Sequence, residues 1–457
     1  MIEGLKPYAE YKESGQEWLG RVPSHWDVRR TKLILREVDS RSTTGKEQLL
    51  RVSQYTGVTQ RKAADGSDSP DTRAASLIGY KRVFVHDLVI NIMLAWNGSM
   101  GVSRFDGIAS PAYCVYRLNK GAQPWYFHQL FRLPLYKGRI KVVSTGVIES
   151  RLRLYSDDLG RIEAILPPPD EQAAIVRFLD HANRKIDGFM RAKRKLIGLL
   201  NEQKQAIIHR AVTRGLHPDV PLKPSGIPWL GDIPKHWDIL RAKYVFREMD
   251  ERSKTGNEEQ LSVSHITGVT PRSQKNITMF KAESYVGHKI CRPGDLAVNT
   301  MWAWMAALGV SKHEGIISPA YAVYRQRKPE RLLSDFADHL LRTAPYKQNY
   351  LSRSTGLRPS RLRLYPDAFF RIPIILPPEN EQQQIVDSIA AETAALNTAI
   401  ARTEREIALM QEYRTRLTAD LVTGKLDVRE AAAKLPDLPT DTPDEPLEEL
   451  EPEEVEA

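Results

Sequence analysis

Cysteine and long apolar runs are both scarce in this chain of 457 residues. The two cysteines, Cys114 and Cys291, lie far apart and have no histidine or second cysteine at ligand spacing, which argues against a disulfide framework or a zinc site. The best apolar candidate, residues 88–96, is about half as long as the ~18 residues that span a bilayer. Residues 1–6 lack the basic and then apolar pattern of a secretion signal. We therefore expect a cytoplasmic protein without a membrane span or a bound metal.

Catalytic signatures are missing as well. The Leu-Pro-Pro segments lack the Asn or Asp that amino-methyltransferases place before Pro-Pro to hold an adenine amino group. There is no Gly-x-x-x-x-Gly-Lys-Ser/Thr phosphate loop, no Pro-Asp…Glu-x-Lys nuclease pattern and no His-Glu-x-x-His zinc motif. We therefore predict neither catalytic residues nor a cofactor in this chain.

Positive charge is concentrated in the body of the chain. The net charge is +9, but residues 435–457 hold ten acidic residues and no basic one, so residues 1–434 carry +19. The proline-rich acidic composition predicts a disordered tail over 431–457. A body this basic favours a polyanionic partner, although lysines and arginines that merely solvate the surface would give the same charge.

One long internal repeat dominates the sequence. Residues 18–26, Trp-Leu-Gly-Arg-Val-Pro-Ser-His-Trp, recur as Trp-Leu-Gly-Asp-Ile-Pro-Lys-His-Trp at 229–237, an offset of 211. Further matches keep the same order and nearly the same offset: 52–61 with 263–272, 87–91 with 295–299, 110–113 with 318–321, 144–155 with 354–365 and 166–172 with 376–382. The chain is therefore two copies of one unit.

Each copy begins with a globular part, residues 1–169 and 215–378. The strand candidates, such as 88–93 and 112–117, are rich in β-branched and aromatic residues, and the short helix candidates are 125–133 and 332–341. The mixture predicts a compact α+β globule in each copy.

A long amphipathic helix follows each globule, at residues 170–214 and 379–430. Apolar residues recur there in alternating steps of four and three, as in coiled coils: Ile175, Leu179, Ala182, Ile186, Phe189, Leu196, Leu200, Ile207 and Ala211, then Ile385, Ile389, Leu396, Ile400, Ile407, Met410, Leu417 and Leu421. Prolines and acidic first turns mark the starts, and Gly215 and Gly424 mark the stops. We expect the two helices to pack antiparallel, with a globule at each end; pairing with a second molecule is the alternative.

These motifs resemble those of the specificity subunits of Type I restriction–modification systems. The resemblance rests on Trp-Leu-Gly-x-Ile/Val-Pro-x-His-Trp at the start of each copy, Gly-x-x-Ser-Pro-Ala-Tyr inside it and Leu-Pro-Pro-x-x-Glu-Gln before each helix. It covers nearly the whole chain except the acidic tail. The fold that it implies is α+β, with two repeated target-recognition domains of mixed α/β structure joined by two long antiparallel coiled-coil helices. The domains would span 1–169 and 215–378, with a central spacer helix at 170–214 and a C-terminal one at 379–430.

The same resemblance implies function and partners. Each domain would read half of a bipartite site in double-stranded DNA, and the helices would set the spacing. Two methyltransferase subunits and the restriction and translocase subunits would dock on this chain. They would supply S-adenosylmethionine, ATP and magnesium chemistry, namely methylation of adenine or cleavage of DNA.

Two polar segments in each domain are the candidates for DNA contact. We predict polar loops at residues 56–61 and 267–272, and at residues 144–153 and 354–363. We call the second pair the loop segments. The candidate residues are Thr56, Gly57, Thr59, Arg61, Ser144, Thr145, Gly146, Arg151 and Arg153 in the first copy, and Thr267, Gly268, Thr270, Arg272, Ser354, Thr355, Gly356, Arg358, Arg361 and Arg363 in the second. Glycine lets a backbone approach DNA, hydroxyls reach phosphates or base edges, and arginine binds guanine. An ordinary turn and a solvated strand face are the alternative interpretation. The similarity of the segments predicts similar half-sites, although residues 147–149 and 357–359 differ.

Other repeated residues favour structural roles. We expect Asn91 and Asn299 to cap turns, and Trp96, Trp304 and the tryptophans of the opening motif to fill the cores. His25 and His236 fit structural histidines better than catalysts. Two other functions remain open at this point: a stand-alone DNA-binding regulator, and a coiled-coil scaffold without salt-dependent DNA affinity.

Overall fold

A computed structural model describes residues 5–61, 74, 76–148, 151–274, 284–356 and 362–436. Its contacts divide the chain into two compact units. Unit 1 contains the described residues of 1–193 and 405–436, and unit 2 contains those of 194–404. Each unit therefore combines one copy of the repeat with a portion of both long helices.

Unit 1 is built from short strands and short helices before the first long helix. Its strands are β1 (Tyr11–Glu13), β2 (Arg21–Pro23), β3 (Asp27–Arg30), β4 (Leu35–Glu37), β5 (Leu50–Ser53), β6 (Gly57–Gln60), β7 (Lys81–Val83), β8 (Leu88–Asn91), β9 (Met100–Val102), β10 (Gly107–Ala109), β11 (Tyr113–Leu118) and β12 (Glu163–Leu166). Its helices are α1 (Pro124–Arg132), α2 (Pro134–Val143), α3 (Ser156–Arg161) and the first part of α4 (Pro169–Arg214).

The centre of unit 1 is an antiparallel sheet of four strands in the order β4-β11-β8-β9. Both faces of this sheet are covered. Leu88 and Ile90 of β8 belong to the larger core, which includes the residues of α1 and α2, whereas Val89 belongs to a smaller core with the hairpin residues Val52 and Val58. Because both faces are buried, β8 is apolar at successive positions instead of alternating.

Unit 2 repeats this order of elements. Its strands are β13 (Leu222–Pro224), β14 (Asp232–Pro234), β15 (Asp238–Arg241), β16 (Phe246–Met249), β17 (Leu261–Ser264), β18 (Gly268–Pro271), β19 (Lys289–Cys291), β20 (Leu296–Val298), β21 (Leu308–Val310), β22 (Gly315–Ile317), β23 (Ala322–Gln326) and β24 (Pro373–Leu376). Its helices are α5 (Ala242–Val245), α6 (Ser334–Leu341), α7 (Ala344–Arg353), α8 (Pro366–Phe370) and the first part of α9 (Glu379–Val422).

The sheet of unit 2 has the equivalent order β16-β23-β20-β21. Leu296 and Val298 belong to the helix-side core, and Ala297 belongs to a separate cluster with Val263 and Val269. The predicted α+β class and the short helices after the sheet are thus confirmed in both units. The structure also places strands β6 and β18 where the sequence predicted polar loops.

The long helices pack antiparallel within each unit. In unit 1, Asp187 of α4 accepts a hydrogen bond from Arg414 of α9 at 2.9 Å, and Lys193 lies 2.7 Å from Glu406. Residue numbers rise along one helix as they fall along the other. The predicted antiparallel pairing is therefore present inside unit 1.

Unit 2 shows the same antiparallel pairing between the other ends of these helices. Lys204 donates to the Asn397 side chain at 2.7 Å, and Arg210 donates to Glu392 at 3.4 Å. The heptad pattern was wrong at Leu196, whose side chain is 40% exposed. A pair of helices buries only a narrow stripe on each of them, so a one-position error in register moves a leucine out of the contact.

Glycine ends both long helices. Gly215 follows α4 with φ 76°, and Gly424 follows α9 with φ 77°, the left-handed conformation that closes a helix. Beyond Gly424 the chain leaves the helix, and α10 (Arg429–Ala433) contributes Ala432 to the core of unit 1. No helix in the described ranges is long and apolar enough to cross a membrane.

Candidate nucleic-acid interface

Residues 56–61 and 267–272 form the tips and second strands of two β-hairpins, and we call them the hairpin segments. In unit 1, β5 pairs with β6 from Leu50–Gln60 to Ser53–Gly57, and in unit 2 β17 pairs with β18 in the same register. Thr56 is half-buried in its turn, whereas Thr267 is exposed. Thr59 accepts a hydrogen bond from Arg51 at 3.2 Å. Arg61 is exposed and Arg272 is half-buried, so both remain candidates for contact with a ligand.

The glycines of the hairpin segments serve internal packing. Gly57 and Gly268 are buried and have φ values of 72° and 67°, which disfavour any residue with a side chain. A Cβ placed on Gly101 would lie 3.1 Å from the Cα of Gly57, and one on Gly309 would lie 3.1 Å from that of Gly268. The hairpin therefore rests directly on β9 or β21. These glycines were expected to let the backbone approach DNA, but in the structure they allow close packing within each unit.

Arg132 at the end of α1 holds the turn of the first hairpin. Its guanidinium donates to the carbonyl oxygens of Gln54 at 2.9 Å and Tyr55 at 2.7 Å, with a longer contact of 3.4 Å to Ser53. It also donates to the Met100 carbonyl at 2.7 Å. One side chain thus ties the turn to the start of β9.

Arg342 occupies the same place in unit 2. It follows α6 and donates to the carbonyl oxygens of His265 at 3.0 Å and Ile266 at 2.7 Å. Neither arginine was among the residues predicted from the sequence to contact DNA. The signal was present, because Arg132 and Arg342 match in the repeat, each following an apolar pair at the end of a predicted helix.

Beneath each hairpin, a histidine in unit 1 and an aspartate in unit 2 accept the same backbone hydrogen bond. His128 accepts a hydrogen bond from the Val102 amide at 3.1 Å, and Asp338 accepts one from the Val310 amide at 3.0 Å. Loss of hydration, followed by the positive charges of Arg132 and Arg104, holds the pKa of His128 well below its usual range. The imidazole is therefore neutral and able to accept the amide proton near pH 7.

Most described residues of the loop segments are exposed, and backbone hydrogen bonds hold the base of each segment. Thr145 and Arg153 exchange two backbone hydrogen bonds of 3.0 and 2.9 Å, and Thr355 and Arg363 exchange two of 3.0 Å. The side-chain hydroxyls of Ser144 and Ser354 donate to carbonyl oxygens one turn earlier, at 2.7 and 2.8 Å. Exposed members are Thr145, Gly146, Arg151, Arg153, Thr355, Gly356 and Arg363. Arg358 and Arg361 lie outside the described residues.

A groove of about 650 Å³ opens beside the loop segment of unit 1. Its lining combines exposed arginines with apolar side chains: Met93, Thr145, Gly146, Val147, Ile148, Arg151, Leu152, Arg153 and Tyr155. Val147 is 99% exposed and has no packing role within the described residues. A concave surface with both arginine and apolar side chains suits the mixed chemistry of nucleotides.

The segment between β8 and β9 joins the two candidate segments in unit 1. Arg132 reaches its Gly98 carbonyl at 3.2 Å, and the Leu154 amide donates to its Ile92 carbonyl at 3.0 Å. In unit 2, the Leu364 amide donates to the Thr300 carbonyl at 2.9 Å. In unit 1, residues about 90 positions apart along the chain are therefore linked through this segment.

Several repeated residues have structural contacts. Asn91 and Asn299 cap turns by accepting from amides two residues ahead, each at 3.2 Å. Asp87 is buried and paired with Arg117 at 3.1 Å, and Asp295 is paired with Arg325 at 2.7 Å. Trp26 and Trp237 are fully buried, while Trp96 is partly buried against the core of unit 1. The prediction was wrong at Trp304, which belongs to neither hydrophobic cluster of unit 2 and whose Nε1 donates to the Met301 carbonyl at 3.0 Å.

The motifs that carried the resemblance meet in space. His25 of the opening motif lies 2.9 Å from Glu171 of Leu-Pro-Pro-x-x-Glu-Gln, and His236 lies 2.7 Å from Glu381. The adjoining Gln172 accepts from the Gln123 amide before α1 at 2.9 Å and donates to the Pro167 carbonyl at 2.7 Å. These motifs therefore join the globular part to the long helix.

Comparisons with known proteins bear on this fold. A chain in a structure that describes complex assembly and conformational transition of the type I R-M system matches with a TM-score of 0.56 at 16% identity, over 88% of this chain and 98% of that one. The HsdS subunit from Thermoanaerobacter tengcongensis gives 0.38 at 17% identity, over 90% and 99%. The Type-I restriction-modification system S subunit from M. genitalium gives 0.32 at 12% identity, over 87% and 96%. No family model and no curated protein sequence matches.

The first of these likenesses establishes the fold class. This chain has two repeated α+β units, each containing paired portions of the long helices, and it shares its fold with a chain in a type I restriction–modification structure. The fold predicted from the repeated motifs is thereby confirmed.

Proposed function

We propose that this chain is the DNA-specificity subunit of a Type I restriction–modification complex. The observation that carries the proposal is the repetition of one site. In each unit an arginine, Arg132 or Arg342, binds the carbonyl oxygens of the hairpin turn, which we call the clamp, and exposed residues of the loop segment lie at equivalent positions. Each unit then reads one half of a bipartite site. Phosphate contacts set affinity and register, and base contacts set sequence.

Charge and exposure support DNA as the ligand. Arg61, Arg151, Arg153 and Arg363 are exposed on the candidate segments. The body of the chain, residues 1–434, carries +19. Such a surface attracts a polyanion and gives binding that weakens as salt rises.

Catalysis belongs to partners in this proposal. Methyltransferase subunits supply S-adenosylmethionine chemistry at adenine, and restriction and translocase subunits supply ATP- and magnesium-dependent cleavage. The chain directs both to one sequence. The fold likeness to a chain in a type I restriction–modification structure supports such an assembly.

Co-expression tests the function directly. The chain and the methyltransferase encoded beside it are expressed in a host free of DNA methylation, and N6-methyladenine is mapped at single-molecule resolution. We expect a split motif that is methylated only when this chain is present. Absence of new methylation with a folded methyltransferase overturns the proposal. Salt-dependent binding to one sequence without the methyltransferase then favours a regulator, and no DNA affinity favours a scaffold.

A further inference from the structure

The clamped turns of the two hairpins are bound in the same way by an arginine but differ in two side chains. Arg132 binds the carbonyl oxygens of Gln54 and Tyr55, and Arg342 binds those of His265 and Ile266. The residues that follow, Thr-Gly-Val-Thr, are identical in both units. The clamp therefore holds the turn in the same way in both units, while the two residues of the turn differ. We call these two residues the variable pair.

The clamp also decides what the turn presents to solvent. The arginine binds the carbonyl oxygens of the turn, which leaves the side chains of the turn to make contacts with a ligand. Tyr55 is 42% exposed and Ile266 is 70% exposed, whereas Gln54 and His265 are half-buried. Neither Tyr55 nor Ile266 belongs to the hydrophobic cores described for its unit. Packing in the hydrophobic clusters of the described residues therefore does not account for the positions of Tyr55 and Ile266.

We propose that Gln54 and Tyr55 in unit 1, and His265 and Ile266 in unit 2, determine where the two half-sites differ. This inference rests on the proposed function. A glutamine can bind adenine through two hydrogen bonds, whereas an isoleucine offers only apolar contact, as with the thymine methyl group. A turn held by a forked arginine places these groups without the entropic cost of ordering a free loop.

Arg132 and Arg342 are positioning residues in this scheme. Each guanidinium offers several donors in a planar fork, which a lysine cannot reproduce. Replacement by lysine keeps the charge but releases some of the turn carbonyls. The turn then loses its fixed orientation while the rest of the hairpin remains paired with its partner strand.

The test exchanges the variable pairs. Q54H/Y55I places the pair of unit 2 on the hairpin of unit 1, and H265Q/I266Y does the reverse, so each pair enters a turn that already has the required backbone. The full chain is co-expressed with the neighbouring methyltransferase, and the methylated motif is read. We expect the first swap to change base preference in one half-site only, by about 5- to 150-fold at the affected positions. The reverse swap should change only the other half-site.

Two results overturn the inference. One is an unchanged motif in both swaps, and the other is a uniform loss of methylation with the same motif, since this indicates sequence-independent contact. If the wild-type chain itself directs no methylation, the proposed function fails instead, and selection of bound sequences from random DNA distinguishes the cases.

R132K serves as a second variant: it should relax discrimination in the half-site of unit 1 and leave the half-site of unit 2 intact. Loss of discrimination in both half-sites equally would indicate a general folding defect and contradict the positioning role.

Discussion

The imidazole of His25 lies 2.9 Å from the Glu171 carboxylate, although 146 residues separate them along the chain. Glu171 is buried and also accepts a hydrogen bond from the Tyr8 hydroxyl. The contact joins the opening motif of unit 1 to the first turn of α4. In unit 2 the equivalent Glu381 is more exposed and binds His236.

Replacement of Glu171 with alanine should therefore destabilise unit 1. Hydrogen bonds to a charged group contribute about 1.5–3 kcal/mol, and the variant leaves the Tyr8 hydroxyl without its acceptor. Hydrogen exchange measured by mass spectrometry should show faster exchange in unit 1 alone. E381A is the matched control and should have a smaller effect, because that carboxylate is 17% exposed. Equal effects of the two variants would contradict the role of burial.

At two positions with left-handed backbone, one copy has a glycine and the other copy has a residue with a side chain. His86 has φ 74° where unit 2 has Gly294, and Ala306 has φ 66° where unit 1 has Gly98. Left-handed backbone costs a residue with a Cβ about 1–2 kcal/mol, partly offset by the greater freedom of glycine in the unfolded chain. H86G should raise the free energy of unfolding in urea by about 0.5–1 kcal/mol. A306G should change it less, because Ala306 is buried in the core of unit 2 and this variant also removes a buried methyl group that contributes about 0.8 kcal/mol. The reverse variant G294H should lower the free energy of unfolding, and stabilisation by that variant would refute the explanation.

The glycines that end the long helices should differ in their tolerance of alanine. A Cβ on Gly424 would lie 2.5 Å from Pro23 and 2.9 Å from Trp26, whereas one on Gly215 has Glu381 as its nearest neighbour at 3.2 Å. G215A should therefore cost about the 1–2 kcal/mol of left-handed strain, and G424A should cost more. Calorimetry of both variants measures the difference. A smaller cost for G424A would show that the opening motif can move aside.

Acid should weaken unit 1 through His128. Its pKa is held low in the folded state, so between the unfolded value near 6.5 and the lower folded value only the unfolded chain binds the proton. Stability from this group is therefore present above about pH 6.5 and is lost as pH falls. H128D introduces the residue that accepts the same hydrogen bond in unit 2, and it should flatten the pH dependence of unfolding below about pH 6.5. An unchanged slope would mean that other histidines dominate.

The loop segments should contribute to the salt dependence of DNA binding. Arg153 is exposed, and its backbone bonds to Thr145 do not depend on its side chain. If Arg153 contacts a phosphate, R153A should reduce the slope of log K against log salt by about 0.9. R416A on α9, where Arg416 is paired with Glu412, is the control and should leave the slope unchanged. A changed preferred sequence for R153A would instead indicate base contact.

The sequence predicted the repeat, the α+β class and the glycines that stop both helices because these depend on local patterns. The predicted helix over 379–430 was too long, because α9 ends at Val422 and α10 begins at Arg429. Gly215 and Gly424 end helices through their own backbone preference. The hairpin segments were harder. Val58 and Val269 pack beneath the sheets, but a strand of four residues beside a glycine does not differ enough from a turn in sequence alone.

Residues that act across long distances in sequence were missed. Arg132 binds carbonyl oxygens about 78 positions earlier, and no local pattern marks an arginine that binds backbone. The pairing of His25 with Glu171 is equally non-local, although both residues were within motifs that the repeat had already marked. Comparison of the two copies, position by position, is the sequence signal that identifies such residues.

The composition of unit 1 affects how the protein folds as it leaves the ribosome. Its core contains Leu417, Leu421 and Val428 together with Trp26 and Leu88, so its last apolar residues emerge after those of unit 2 have been made. At synthesis rates of about 5–20 residues per second, the apolar surface of residues 5–193 waits about 10–50 s for its C-terminal partner. Unit 2, from residues 194–404, is complete first. The part of the protein that is translated first is thus finished last, and chaperones have the longest access to the surface that α9 and α10 later cover.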